Sequence, residues 1–177
     1  MRIITGKYKG RHFDIPRTFK ARPTTDFAKE NIFNVLIQYV DLEEARALDL
    51  FSGTGSITLE LLSRGCSRVV SVELDRDHHR FICECLKKLE VRDAVLPIRG
   101  DVFRFMKTCH QQFDFIFADP PYALKELGTL PDLIFQYGLL TSGGLFVLEH
   151  GKDHDFTHHP HFVEHRQYGS VNFSLFR

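Results

Sequence analysis

Five short apolar runs divide the chain: ARALDLF (45–51), SRVVSVEL (67–74), DAVLPIRG (93–100), FDFIFADP (113–120) and GGLFVLEH (143–150). The fourth of them, FDFIFADP, is nearly continuous in apolar residues, as a strand covered on both faces requires. Helix-patterned segments separate them. One is expected over Thr25–Val40, with Ala28, Ile32, Val35, Leu36 and Tyr39 at helical spacing and Thr24, Thr25 and Asp26 as start signals. Another runs from the SGTG loop to about Arg64, where Gly65 ends it. A third carries His78, Ile82, Cys85, Leu86 and Leu89 on one face, and shorter ones cover roughly 102–109 and 125–138. Strand–helix alternation implies an α/β fold with a mostly parallel sheet and helices on both faces. The chain then ends in HFVEHRQY and VNFSLFR joined by Gly169-Ser170, a hairpin that adds one antiparallel strand. Ligands of such sheets bind at the carboxyl ends of the strands.

The 177 residues suit a single domain, and 43% of them are apolar, enough for a sizeable core. No apolar run approaches the roughly 18–20 residues of a membrane helix. MRIITGKYKGR lacks the apolar stretch of a secretory signal. Cys66, Cys83, Cys85 and Cys109 form no CxxC pair, which points to a reduced, cytoplasmic setting. The formal net charge is zero, but it is unevenly spread. Residues 1–22 hold seven basic side chains against Asp14 alone, a net +6, and residues 23–177 carry −6. MRIITGKYKGRHFDIP alternates and contains Gly6 and Gly10, as a basic N-terminal β-hairpin extension would. Residues 23–177 form the catalytic core on this reading. Charge runs are usually solvated surface. The sharper reading is a phosphate-contacting platform that includes Lys7, Lys9 and Arg11. Composition alone does not choose.

Asp49-Leu50-Phe51-Ser52-Gly53-Thr54-Gly55 lies where the first strand meets its helix, and Gly53 and Gly55 leave room for a ligand against the backbone. Eighteen residues past Gly55 the second strand ends in Glu73-Leu74-Asp75, where Glu73 can accept hydrogen bonds from ribose hydroxyls. A dinucleotide fits poorly. The third glycine of GxGxxG is replaced by Thr58, and Asp49 would repel a pyrophosphate. S-adenosylmethionine (SAM) has no phosphate and carries two cationic groups, so it fits better. Gly100-Asp101-Val102 follows the third strand and offers Asp101 to an adenine amino group. The candidate cofactor residues are thus Asp49, Phe51, Ser52, Gly53, Thr54, Gly55, Glu73, Leu74, Asp101 and Val102. The competing structural reading makes Asp49, Glu73 and Asp101 helix caps.

Asp119-Pro120-Pro121-Tyr122 ends the fourth strand. The exocyclic amine of a base is a weak nucleophile because its lone pair is delocalised into the ring. Two acceptors holding its N–H groups free that lone pair; the Asp119 carboxylate and the Pro120 carbonyl are candidates. Pro120 and Pro121 fix φ at two positions and so aim that carbonyl. Tyr122 can stack on an extruded base. As transfer makes the amine cationic, Asp119 stabilises the charge. The plainer alternative is that Pro-Pro merely stops a strand and Tyr122 packs in the core.

DLFSGTG, the VELD acid, GD and DPPY, in this order, resemble class I SAM-dependent methyltransferases that act on amino groups. MRIITGKYKGRHF, ARPTTDFAKENIFNVL and the terminal RQYGSVNFSLF are similar to the RsmD family of bacterial 16S rRNA guanine-N(2)-methyltransferases. The resemblance implies a Rossmann-like, seven-stranded sheet, SAM as cofactor and catalysis at Asp119–Tyr122. It also implies that Arg22, Thr24 and Thr25 lie beside cofactor and target base, with Thr25 toward the cofactor. The basic hairpin would then hold ribosomal RNA. One departure is Phe27-Ala28-Lys29 after Asp26, where the family tends to carry an arginine. The expected protein is a cytoplasmic monomer whose partner is rRNA or the small-subunit particle, with no membrane.

Other readings compete. DPPY also serves adenine-N(6) methyltransferases of DNA or RNA, although 177 residues leave no room for a separate sequence-reading domain. Glutamine methylation typically uses Asn-Pro-Pro-Tyr. A nicotinamide oxidoreductase is disfavoured by Thr58 and Asp49, and a non-catalytic RNA-binding module by the intact DPPY. His150, His154, His158, His159 and His161 cluster, but their spacing suggests a flexible loop rather than a metal site. Cys83 and Cys85 diverge on a helix and make no redox pair.

Overall fold

The structure, a computed structural model, describes residues 1–20, 23–91 and 93–177. Helix α1 (Asp26–Leu36) precedes β1 (Arg46–Leu50), α2 (Ser56–Ser63), β2 (Arg68–Glu73), α3 (Arg76–Lys88), β3 (Val95–Arg99), α4 (Val102–Thr108) and β4 (Phe113–Ala118). α5 (Leu130–Gln136), β5 (Leu140–His150), β6 (Phe162–Tyr168) and β7 (Val171–Phe176) follow. The seven strands form one sheet in the order β3-β2-β1-β4-β5-β7-β6. β1 to β5 pair in parallel, and β7 runs antiparallel to both β5 and β6. The expected α/β, Rossmann-like architecture with a single reversed strand is therefore what the chain adopts. The order turns back on itself between β1 and β4, and the carboxyl ends at such a switch point are where sheets of this kind form a ligand crevice.

Strand pleating sends alternate side chains to opposite faces. Ala47, Val69, Phe115, Phe117, Leu145 and Val147 face α1, α2, α3 and the N-terminal residues Ile3 and Phe13. Leu48, Val70, Ile116, Phe146 and Leu148 face α4 and α5. Phe33, Phe113, Phe115, Phe117, Phe146, Phe173 and Phe176 are fully buried, each contributing about 2–3 kcal/mol of burial. Among the described residues, no helix is long and apolar enough to cross a membrane.

Several boundaries differ from the sequence expectation. α1 stops at Leu36 because the next turn tightens, with the Gln38 N–H bonded to the Val35 carbonyl and the Tyr39 N–H to the Leu36 carbonyl. The helix expected over 125–138 is a 3-10 turn (Leu127–Thr129) followed by α5, whose start accommodates Pro131 because the first-turn amides need no partner. β5 begins three residues early, and its register against β4 shifts between Phe113 and Phe115.

The N-terminal segment is a closed loop rather than a two-stranded ladder. Its arms meet at one bridge, Arg2 with His12, supported by the Ile3 N–H to Arg11 carbonyl and Phe13 N–H to Met1 carbonyl bonds. What fixes it is α2. Glu60, fully buried, accepts from the Ile4 and Thr5 N–H groups (2.9 and 3.0 Å) and from Arg64 Nε (3.0 Å). Lys29, 1% exposed, lies 3.7 Å from Glu60 and donates to the Arg2 carbonyl (2.6 Å) and Ser56 Oγ (3.0 Å). Gly6 (φ +94°) completes the contact, since a Cβ there would sit 1.9 Å from the Ser63 carbonyl oxygen.

Candidate active site at the carboxyl edge

Period-two geometry gathers the acids. Asp49 pairs in register with Ser71 on β2 and with Phe117 on β4, and Phe117 pairs with Val147 on β5. One pleat further on, Glu73, Asp119 and Glu149 emerge on the same face, the one covered by α1 to α3. The structure thus brings together Asp49, Glu73 and Asp119, as the sequence suggested, and adds Glu149.

Asp49 is 1% exposed and accepts from Thr58 Oγ1 at 2.6 Å. Burial, with the negative charge of Glu73 adding to it, pushes its carboxyl up to about 7. Ser52 Oγ donates to the Asp49 carbonyl (2.8 Å) and accepts from Ser71 Oγ (2.7 Å), which pins the loop to two strands. Gly55, at φ +82°, starts α2 from the left-handed region, and a Cβ there would lie 2.9 Å from Ile82 Cγ1. Phe51, at φ +58°, holds that region without being glycine and packs edge-on against Phe103. Thr54 is buried. Glu73 accepts from the Gly53 N–H (2.7 Å) and the Asp75 N–H (3.0 Å), so it braces the glycine loop while keeping further acceptor capacity.

The capping explanation applies to one acid of the three. Asp101 is the N-cap of α4 and accepts from the Arg104 N–H at 2.9 Å, yet remains exposed. The cap of α3 is Asp75 rather than Glu73. Leu74 is exposed, whereas Val102 is buried in the core on the α4 side. A donor-poor, carboxylate-rich crevice of this kind suits a ligand with hydroxyls and positive charge, and it opposes one with phosphates.

Asp119 follows β4, its N–H donating to the Leu50 carbonyl at 3.2 Å. Burial, then the charges of Glu149, Asp49 and Glu73, hold its carboxyl well above the usual carboxylate range. Pro120 is buried, and Pro121 is exposed. Tyr122 is 46% exposed, so it is not a core residue; its hydroxyl donates to Glu149 Oε1 at 3.0 Å. Thr24 Oγ1 donates to Glu149 Oε2 at 3.2 Å, and Thr25 caps α1 by accepting from the Ala28 N–H. Thr24 is thereby brought to the site, while Arg22 lies outside the described residues. Glu149 went unread in the sequence, although it ends an apolar run just as Asp49 and Asp119 do.

The structure does not bring Lys7, Lys9 and Arg11 to this crevice. All three are exposed, but the Lys7 N–H donates to the Ser63 carbonyl (2.7 Å) and Arg11 Nη2 to the Lys88 carbonyl (3.2 Å), at the far ends of α2 and α3. Lys29 is buried, with its ammonium held by the Arg2 carbonyl, Ser56 and Glu60. The histidine loop is packed rather than loose: His150 is buried, His161 stacks on Phe135 at 3.7 Å and His159 bonds Asp132. An open groove of about 710 Å³ lies at the amino ends of the strands, between Thr5, Tyr39 and Gly65, and holds none of the clustered acids.

A family model described as conserved hypothetical protein 95 matches residues 1–177. The protein YlbH of Bacillus subtilis (strain 168) is 36% identical over 156 residues, which cover 86% of this chain and 84% of that protein. The ribosomal RNA small subunit methyltransferase D of Escherichia coli (strain K12) is 30% identical over 149 residues, covering 84% of this chain and 74% of that one. The solved structure of the Escherichia coli protein yhhF superposes with a TM-score of 0.86 at 26% identity, over 99% of this chain and 96% of that one.

Proposed function

The chain belongs to the conserved hypothetical protein 95 (RsmD) family, and from that membership we propose that it methylates the exocyclic 2-amino group of a guanine in small-subunit rRNA. The observation that carries this reading is the shared face on which Asp49, Glu73 and Asp119 converge, with an exposed Tyr122 at its rim. SAM fits the donor set: Asp49 for its cationic end, Glu73 for ribose hydroxyls and Asp101 for the adenine; Gly55, contrary to the sequence expectation, lacks a Cβ because Ile82 of α3 fills that space rather than a ligand. We assign Phe51, Ser52, Thr54, Leu74 and Thr25 to the same cofactor site; the Val102 side chain packs into the core on the α4 side instead. When bound, SAM supplies an electrophilic methyl group.

The chain's own residues do the rest. Tyr122 stacks on the extruded base and sets the plane of its amine. The ionised Asp119 carboxylate and the Pro120 carbonyl accept the two amine N–H groups, which localises the nitrogen lone pair. Asp119 then stabilises the positive charge that develops on nitrogen and takes up the surplus proton. Fixing amine and methyl donor in one crevice supplies much of the remaining acceleration. On this reading the partner is rRNA, free or within the small-subunit particle, met in the cytoplasm by a monomer.

The test is labelled SAM incubated with small-subunit particles, naked rRNA and DNA, followed by mapping of the modified nucleotide. Label on a guanine N2 of the rRNA is expected. Label only in DNA, or on an adenine, would overturn the proposal.

A further inference from the structure

Beside Asp119, Glu149 is a buried charged group whose contacts the transfer chemistry leaves unexplained. It is 5% exposed, at the end of β5, where register from the Phe117–Val147 pair makes it the neighbour of Asp119. Both of its oxygens are engaged by groups from different parts of the chain. Oε1 accepts from Tyr122, in the catalytic loop, and Oε2 from Thr24, in the segment that leads from the basic N-terminus into α1. Removing a carboxylate from water costs several kcal/mol unless such partners offset it. This burial is therefore a built feature of the crevice rather than surface polarity turned inward.

Resting on the methyltransferase reading above, we propose that Glu149 is the positioning residue of the transfer site, locking the Tyr122 ring and the Thr24 segment over the crevice and sharing one proton with Asp119 in the free protein. Two carboxyls at the ends of adjacent strands, one buried and the other half-buried, cannot both ionise cheaply. Among the described residues, the groups facing Asp119 are Glu149 from β5, Asp49 from β1, Glu73 from β2 and the Tyr122 hydroxyl; the three carboxylates favour its protonated form. Burial likewise raises the Glu149 carboxyl, while the hydrogen bonds from Tyr122 and Thr24 and the one shared with Asp119 oppose that rise. Because two hydroxyl donors already occupy the Glu149 oxygens, the shared proton falls to Asp119, donated toward Glu149. Asp119 must lose it before it can accept an amine N–H, so Glu149, added to the effect of burial, raises the pH at which the site becomes competent.

Carboxyl carbon-13 titration of the free protein tests the sharing without any substrate. Wild type should show a coupled pair above the ordinary range, and Glu149→Gln should lower the Asp119 midpoint by about one pH unit or more, a tenfold change in its acidity. Two independent carboxyls at ordinary values, or an Asp119 unmoved by the substitution, would overturn the sharing. In kinetics, Glu149→Gln should move the acid limb of kcat to lower pH. Tyr122→Phe and Thr24→Val should shift that limb less than Glu149→Gln does and raise KM for RNA about three- to tenfold. Unchanged KM in both would overturn the positioning role. If Glu149→Gln does not fold, the wild-type titration and these two variants still decide. A wild-type protein that methylates no rRNA defeats the functional reading alone, because the titration stands apart from activity.

Discussion

Asp49 shows how a single side chain couples ligand and stability. Its carboxyl is raised to about 7 chiefly by burial, from an ordinary 3.8. A cationic ligand prefers the ionised form, so SAM should bind more tightly as pH rises from 6 to 8, and calorimetric titration across that range checks it. Asp49→Asn should bind weakly at every pH and lose the trend. Stability has the opposite sign. A folded-state pKa above the unfolded one stabilises below about pH 4, and that contribution is lost as pH rises through 7. Asn retains an acceptor for Thr58 without a charge, so the variant should melt higher than wild type at pH 8. At Asp119 the expectation is kinetic: Asp119→Ala should keep SAM binding and lose transfer about 10²–10⁴-fold, the usual range for a proton acceptor. Retained activity in a single-turnover assay would remove it from the mechanism. Asp49, Glu73 and Asp119 were legible because each lies at or near the end of an apolar run beside a recognisable loop. Glu149 closes one too, in GGLFVLEH, but no motif follows it. Its role depends on Tyr122 and Thr24, 27 and 125 residues away in sequence.

At the scale of elements, the N-terminal segment depends on contacts its own sequence does not announce. Alternation suggested a ladder, yet one bridge forms, because the backbone amides of Ile4 and Thr5 go to Glu60 instead. Lys29 sits in a helix whose pattern marks it as an ordinary polar position, and its burial follows only from the approach of α2. Lys29→Met should destabilise the protein by about 3 kcal/mol, the low end for stranding a buried carboxylate, because Arg64 still pairs with Glu60. Urea denaturation measures the loss, and hydrogen exchange should show residues 3–13 loosening first. Helix and strand existence was readable from periodicity; the ends of α1, α5 and β5 were set by tightened turns, Pro131 and a register shift.

Over the whole molecule, zero net charge conceals a basic segment lying along a body whose acids line the crevice. The far end of α2, where Lys7 is held, is roughly 12 Å from the crevice end at 1.5 Å per residue over eight residues. RNA touching both must therefore extend along the α2–α3 face. Replacing Lys7, Lys9 and Arg11 with Gln should weaken RNA binding and flatten the slope of log K against log salt by about 2–3, at 0.7–0.9 per lost phosphate contact. An unchanged slope in filter binding would return these residues to plain solvated surface. The strand–helix alternation, the glycine loop and DPPY are local in the chain, so sequence alone determined the fold class and the kind of chemistry. Tertiary structure decided which acids share a face, that Glu149 joins them, and how far the basic side chains stand from the crevice. Those outcomes depend on strand register and helix docking, which bring together residues with no proximity in sequence.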